Sequence, residues 1–196
     1  TEDPETPDVP VATSTIEVPV GTGTTKLSYI ESDNDTVKIV DCKKDATGDL
    51  KIPEEINRKS VTNIGEMAFL DCTGLTDITI PETVTKIESG AFENCSSLSR
   101  ITIPGGIEEM GESIFTGCDN IKRVDISNLD SWLKIEFWGF SNPLMSGADL
   151  YLNGKLVEDL IIPDGIEMIN DNAFNGCTSL KRVTIPEGVT NAGSGS

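Results

Sequence analysis

The chain has 196 residues, with 33 acidic side chains against 15 basic ones, a net charge of −18 and no histidine. This excess of acid repels phosphate groups, which argues against nucleic acids and anionic membranes as partners. The lack of histidine excludes Ser-His-Asp and Cys-His nucleophile systems and histidine metal sites. No apolar run approaches the roughly 20 residues of a membrane helix, so the sequence predicts no membrane insertion.

The N-terminal part of the chain is divided by composition. Residues 1–25 contain four of the ten prolines, five acids and no base. Such a mixture buries too little apolar area to fold, so we predict a disordered, acidic, Pro/Thr-rich tether over 1–26. Residues 27–49 begin with two strand-like runs joined by a polar turn. Because a stack of repeats needs a terminal cap, we interpret 27–49 as an N-terminal cap.

A repeat of 23 residues follows. Phe69, Phe92 and Phe115 are separated by that interval, and Cys72 and Cys95 keep it as well. Each unit reads I-x-I-P, then a second apolar pair, then A-F-x-x-C-x-x-L at the spacing of a helical or 3₁₀ turn. A fixed period of this length indicates stacked units that share one core. We therefore predict a solenoid over 27–190 with parallel strands near 50–52, 78–80, 101–103, 124–126, 160–162 and 183–185.

The repeat is interrupted once and then stops. An insertion falls between Ile126 and Ile162, and within it Asn153-Gly154 is a strong signal for a two-residue hairpin turn. We interpret 127–158 as an irregular repeat that contains this hairpin. After 190 the repeat pattern is lost, and 191–196 is predicted to be a flexible tail.

The repeat also predicts the composition of the core. Phe69, Phe92, Phe115 and Phe174 are expected to form one buried column. The repeat cysteines should form a second column of buried free thiols, since stacking places equivalent Cβ atoms about 4.8 Å apart, against the roughly 3.8 Å of a disulfide. The cysteines in question are Cys72, Cys95, Cys118 and Cys177, with Cys42 in the cap.

With its I-x-I-P strand and A-F-x-x-C-x-x-L turn, the repeat resembles the BspA-like leucine-rich repeats of bacterial surface proteins. The irregular module is similar as well, in SNLDSWLKIEF, SNPL, ADLYLNGKLVEDLIIPDGI and AFNGCTSLKRVTIP. The resemblance covers about residues 28–190. It implies a curved, right-handed, mainly β leucine-rich-repeat solenoid with short helical or 3₁₀ turns. It also implies secretion or surface anchoring, with adhesion to host proteins or other cells, and supplies no catalytic residues.

Two surface features are candidate binding sites. The first is a column of Arg100, Arg123 and Arg182 on the outward side of the strands, where planar guanidinium groups suit carboxylates of a partner. The alternative, which we favour, is an Asp–Arg ladder that pairs with itself across the strands.

The second feature is a group of aromatic residues in the irregular repeat. Trp132 and Phe137 are expected to fill the wider interior of this coil. Trp138 and Phe140 follow at offsets at which not all rings can point inward, so one of them, or Tyr151, is the candidate for an exposed anchor.

These observations predict a non-enzymatic interaction or adhesion module at the cell surface. Its partner would be a host extracellular-matrix or cell-surface protein or glycan, and no cofactor or metal is predicted. A passive spacer or scaffold is the second interpretation. A glycan hydrolase with a carboxylate pair is the third, because the many carboxylates leave that chemistry open.

Overall fold

The structure is a computed structural model that describes residues 13–32 and 34–195. These residues form a mainly β solenoid of about seven turns, with one α-helix, α1 (Leu129–Lys134), and one 3₁₀ helix (Pro143–Ser146). The strands in chain order are β1 Ser14–Val20, β2 Gly23–Glu31, β3 Thr36–Cys42, β4 Thr47–Lys51, β5 Glu55–Ile56, β6 Lys59–Ile64, β7 Gly74–Thr79, β8 Lys86–Ile87, β9 Arg100–Ile103, β10 Glu109–Met110, β11 Arg123–Ile126, β12 Asp149–Leu152, β13 Lys155–Leu156, β14 Asp159–Ile161, β15 Met168–Ile169, β16 Arg182–Thr184 and β17 Asn191–Ala192. In the described part of the chain, no helix is long and apolar enough to cross a membrane.

The predicted tether is wrong for residues 14–26. β1 and β2 form an antiparallel hairpin with Ser14 opposite Tyr29, and Val18 and Leu27 are buried in it. Prolines and acids are frequent here, but apolar and polar residues also alternate, which gives a strand one buried face. Residues 1–12 of the predicted tether lie outside the described residues.

The N-terminal strands join the two strand-bearing sides of the solenoid. β3 pairs with β6 in parallel, and β1 meets β4 in an antiparallel contact at Val20 and Leu50. We call β4, β7, β9, β11 and β12 the long-strand face, and β6, β8 and β10 the short-strand face. The cap therefore comprises more than the predicted residues 27–49, because β1 belongs to it.

The long-strand face has the predicted parallel register. Ile78 lies opposite Ile101, and Ile101 opposite Val124. Since side chains alternate along a strand, this register directs one column into the core and the next toward solvent. The predicted strands near 160–162 and 183–185 are parallel to each other but do not continue this sheet, because β14 and β16 form a separate two-stranded sheet.

The hairpin of the irregular repeat explains this break. β12 and β13 pair antiparallel around Asn153-Gly154, as predicted. β12 also pairs in parallel with β11, with Leu150 opposite Val124, so it takes the place beside β11 that was expected for residues 160–162.

The aromatic core column is shorter than predicted. The rings of Phe69 and Phe92 stack with centroids 5.1 Å apart, and those of Phe92 and Phe115 with centroids 5.6 Å apart. Phe174 is only partly buried and is not in this stack, because the irregular coil separates it from Phe115. The backbone N–H of Phe115 donates to the carbonyl of Phe140, which aligns the next residue, Ser141, with the phenylalanine column.

The cysteines are free, as expected, and four of the five are buried. The thiols of Cys95 and Cys118 donate to the carbonyls of Phe69 and Phe92, at 3.2 and 3.0 Å. Cys177 differs from the prediction because it is only partly buried. A hydrogen bond with the neighbouring thiol and burial raise the pKa values of Cys42 and Cys95, and the same hydrogen bonds lower the pKa values of the partner thiols, Cys72 and Cys118.

The predicted flexible tail is wrong for its first two residues. Asn191–Ala192 forms β17, which pairs in parallel with β15. The pairing continues the 23-residue step, since Met168 lies opposite Asn191. Ser196 lies outside the described residues.

Replacing Phe92 by Ala should lower the free energy of unfolding by about 3–5 kcal/mol, because the ring is completely buried between two others. Phe174→Ala is the matched control and should cost less, since that ring is partly exposed. Chemical denaturation followed by circular dichroism measures both. A loss below about 1 kcal/mol for Phe92→Ala would contradict the column.

Thiol titration should find five reactive groups in denatured, unreduced protein. In the native protein only Cys177 should react quickly, because the other four thiols are buried. A dithionitrobenzoate time course with and without denaturant gives both counts. A denatured count of three or one would show disulfides between coils.

Candidate functional site

The predicted arginine column is present in part. On the long-strand face, the column reads Asp77, Arg100, Arg123, Asp149 from one strand to the next. Two arginines are therefore adjacent, with an acid on either side. Arg182 is not in this column. It lies on β16 in the separate sheet, opposite Asp159.

Asp125 ties the two adjacent arginines together. Its Oδ2 accepts from Arg100 Nε at 2.8 Å and from Arg123 Nε at 2.7 Å, while Oδ1 accepts from Arg123 Nη2 at 2.7 Å. Arg100 also reaches Asp77, with Nη1 3.4 Å from Oδ2. The self-paired ladder that the sequence analysis favoured is therefore formed.

Burial and pairing with arginine shift the pKa of these carboxyl groups in opposite directions. Burial alone would raise the pKa of Asp125, but hydrogen bonds from Arg123 and Arg100 outweigh it, and the pKa is lowered. For Asp77, burial exceeds the attraction of Arg100, and the pKa is raised.

Tyr151 lies on the same face, beside this ladder. The guanidinium carbon of Arg123 is 3.7 Å from the centroid of the Tyr151 ring, a cation–π contact. Tyr151 is half-buried. One face of its ring is thus occupied by an arginine of the same chain.

The interior aromatics of the irregular coil are placed as predicted. Trp132 and Phe137 are buried, with ring centroids 4.9 Å apart. The indole N–H of Trp132 donates to the carbonyl of Ala173 at 2.9 Å, which joins the irregular coil to the coil that follows.

Trp138 occupies a corner that is polar in the other coils. Each coil turns at a residue with positive φ, and the residue before this turn is exposed. The turn residues are Met67, Gly90, Ser113, Gly139 and Asn172, and the residues before them are Glu66, Ser89, Glu112, Trp138 and Asp171. Trp138 is 57% exposed, although its neighbours in the column are acids and a serine.

A shift of one residue in the irregular coil accompanies this exposure. In the regular coils the third residue before the turn is buried, as in Ile64, Ile87, Met110 and Ile169. In the irregular coil that position is Glu136, which is exposed, and Phe137 is buried instead. The segment consequently forms no strand, and the short-strand face is interrupted between β10 and β15.

The interruption opens a groove of about 660 Å³ beside Trp138, which we call the corner groove. Its other walls are the short strands β8 and β10 and the residues next to them. A second groove of about 380 Å³ lies on the other side of Trp138. The residues that line the corner groove are Glu66, Lys86, Ile87, Glu88, Ser89, Glu108, Glu109, Met110, Gly111, Lys134, Glu136 and Trp138.

The acidic residues of this groove were not among the predicted site residues. Two of them, Glu108 and Glu109, lie between the inward-pointing Ile107 and Met110 of the second apolar pair. A signal was present, because the outward positions of this pair carry Glu108 and Glu109. The sequence does not show that the next coil leaves an open space beside Glu108 and Glu109.

The remaining candidate, Phe140, is also exposed, at 58%. It lines a different, smaller cavity of about 240 Å³, together with Phe115, Cys118 and Pro143. The three candidate anchors therefore do not form one patch. Within residues 13–32 and 34–195, no group of three or more acidic or cysteine side chains is arranged to hold a metal ion.

Replacing Asp125 by Ala should destabilise the fold by about 1–3 kcal/mol, since it leaves two arginines without their shared acceptor. Asp159→Ala is the matched control. Its pair with Arg182 is solvent-exposed, so the expected loss is below about 1 kcal/mol.

The effect of Asp125→Ala should also depend on pH. Because the pKa of Asp125 is lowered in the folded state, its ionised form stabilises the fold above the ordinary value of 3.8. This contribution is lost as the pH falls below that value and through the lowered pKa. Urea unfolding at neutral and acidic pH measures both the size of the effect and its pH dependence. An equal loss of stability for the two variants at neutral pH would contradict the expected difference between them.

Three solved structures match most of this chain, and one of them has a TM-score above 0.5. The T. pallidum leucine-rich repeat protein TpLRR is 19% identical with a TM-score of 0.51, over 85% of this chain and 83% of that one. A leucine-rich cell surface protein from Faecalibacterium prausnitzii A2-165 is 24% identical with a TM-score of 0.41, over 91% of this chain. This chain spans only 45% of that protein's length.

The third is the pneumococcal vaccine antigen PcpA, 17% identical with a TM-score of 0.34, over 92% of this chain and 66% of that one. Among curated proteins, none matches the sequence significantly. The family model that describes a BspA-type leucine-rich repeat region matches in six copies, over residues 48–144 and 147–196. The chain therefore belongs to the BspA-type leucine-rich repeat family.

Proposed function

We propose that this chain is a non-catalytic interaction module of a bacterial cell-surface protein, and that it binds a macromolecule through the irregular coil. The observation that carries the proposal is the exposure of Trp138 beside the corner groove. Aromatic residues that are exposed next to a groove are typical anchors of protein interfaces, because they bury much area at a small entropic cost.

Membership in a repeat family supports an interaction or scaffold role, since solenoids offer long surfaces to extended partners. Extracellular, surface-anchored localisation is part of the proposal and rests on the family. The partner is a matrix or cell-surface protein or a glycan.

The exposed aromatics Trp138 and Phe140 are the preferred binding residues. Arg100 and Arg123 pair with Asp125, and Arg123 also lies over the Tyr151 ring, so a ligand there would have to compete with these contacts. Arg182 is more accessible, with 74% of its side chain exposed.

A passive spacer is the second candidate function, and the paired charges of the long-strand face favour it. A surface with satisfied Asp–Arg pairs offers few free donors to a partner. The two functions differ in what they predict for Trp138, which a spacer does not need.

A binding screen of the purified chain against matrix proteins and glycans should find a ligand whose affinity falls about tenfold or more in Trp138→Ala, the effect expected of an aromatic anchor. Phe140→Ala is tested in parallel. The comparison variant is Arg100→Ala/Arg123→Ala/Arg182→Ala, which should keep more of the affinity. Thermal melting of each variant separates loss of binding from loss of fold.

Two outcomes would contradict the proposal. If the Trp138 and Phe140 variants keep full affinity for every ligand found, the irregular coil is not the site. If no ligand is found across a broad panel, the spacer function replaces the binding one.

A further inference from the structure

The corner groove is bounded by the outer edge of β10. In the described part of the chain, β10 is the last strand on its side of the sheet and pairs only with β8. Among the described residues, no backbone hydrogen bond joins Glu108–Gly111 to the irregular coil. An edge strand with free backbone groups is a template for an added strand, and this is a common way to recognise an extended peptide.

The walls of the groove are acidic. Five glutamates line it against two lysines. Lys86 pairs with Glu109, and Lys38, from outside the groove, pairs with Glu88 at 3.2 Å. In the described residues, the side chains of Glu66, Glu108 and Glu136 have no ion pair or hydrogen bond, and neither has that of Lys134, so the groove keeps an excess of carboxylates that favours a cationic occupant.

Trp138 adds a second element of recognition for the same chemistry. The face of an exposed indole attracts an ammonium or guanidinium group, and Trp is the best of the aromatic side chains in this role. Trp138 follows Glu136 by two residues in the sequence, and both line the groove. Carboxylates beside an aromatic face suit the side chains of Lys and Arg, and suit a neutral glycan less well.

We propose that the corner groove binds an extended, Lys/Arg-rich segment of a partner protein, which adds as a strand to the free edge of β10 and stacks a cationic side chain on Trp138. The inference rests on the proposed function, whose partner class it specifies. It also assigns a role to the interruption of the short-strand face, because the missing strand leaves the place that the partner segment occupies.

The direct test uses a fluorescein-labelled peptide of about eight residues in which Lys and Thr alternate, as in a strand with one basic face. Fluorescence anisotropy should show saturable binding to the wild-type chain. A Glu-Thr peptide of the same length should not bind. Because the attraction is electrostatic, the affinity for the Lys-Thr peptide should fall as salt is raised above about 0.1 M.

Variants distinguish binding in the groove from a general attraction of the peptide to the negatively charged chain. Trp138→Ala should weaken peptide binding about tenfold or more. Glu108→Gln/Glu136→Gln should weaken it by a similar factor. The matched control is Glu54→Gln/Glu187→Gln, which removes the same charge from exposed sites away from the groove and should change affinity by less than about threefold.

Strand addition is tested with peptides N-methylated at every Lys or at every Thr. Only one set of N–H groups can face β10, so one of the two peptides should lose binding and the other should keep it. If both bind as well as the parent peptide, strand addition is wrong.

The remaining outcomes are equally decisive. Equal losses in the groove and control double variants would overturn the inference in favour of diffuse charge attraction. If a glycan or protein ligand depends on Trp138 but is insensitive to salt and to Glu108→Gln/Glu136→Gln, the proposed function stands and this inference fails. If neither the peptide nor any screened ligand binds, both fail.

Discussion

The structure depends on one constraint, the register in which successive coils hydrogen-bond to each other. Backbone pairs such as Ile78 with Ile101 fix every position of the repeat in a column at strand spacing. A residue type that is suitable at one position is therefore required at the same position in the next coil. The stacked phenylalanines and the Asp–Arg pairs of the long-strand face are two results of this single condition, one in the core and one at the surface.

The same condition explains why a small irregularity has a large effect. At Glu136 and Phe137 the buried position moves by one residue, and period-two alternation then reverses which side chains point inward. The segment does not pair with β10, whose outer edge has no partner strand in the described part of the chain, and Trp138 is turned to solvent at a polar corner. The open space beside β10 and the exposure of Trp138 both follow from this shift.

The sequence predicted those features that depend on periodicity. The parallel strands, the stack of Phe69, Phe92 and Phe115, the free thiols and the burial of Trp132 and Phe137 are confirmed by the structure. The errors lie where periodicity ends. Composition suggested a tether for residues that form β1 and β2, and Phe174 was assigned to a column that the irregular coil interrupts. The corner groove could not be predicted, because it is a gap between two coils, and the spacing of residues along the chain does not determine how far apart two coils lie.

The distribution of charge on the two faces also indicates where a binding site is physically reasonable. On the long-strand face, Asp125 and its two arginines satisfy one another, and a ligand would have to break those contacts before it could form its own. At the corner groove, Trp138, the outer edge of β10 and three glutamates have no such partners among the described residues, so a ligand there would not have to break existing contacts. This difference supports placing the proposed binding site at the irregular coil rather than on the long-strand face.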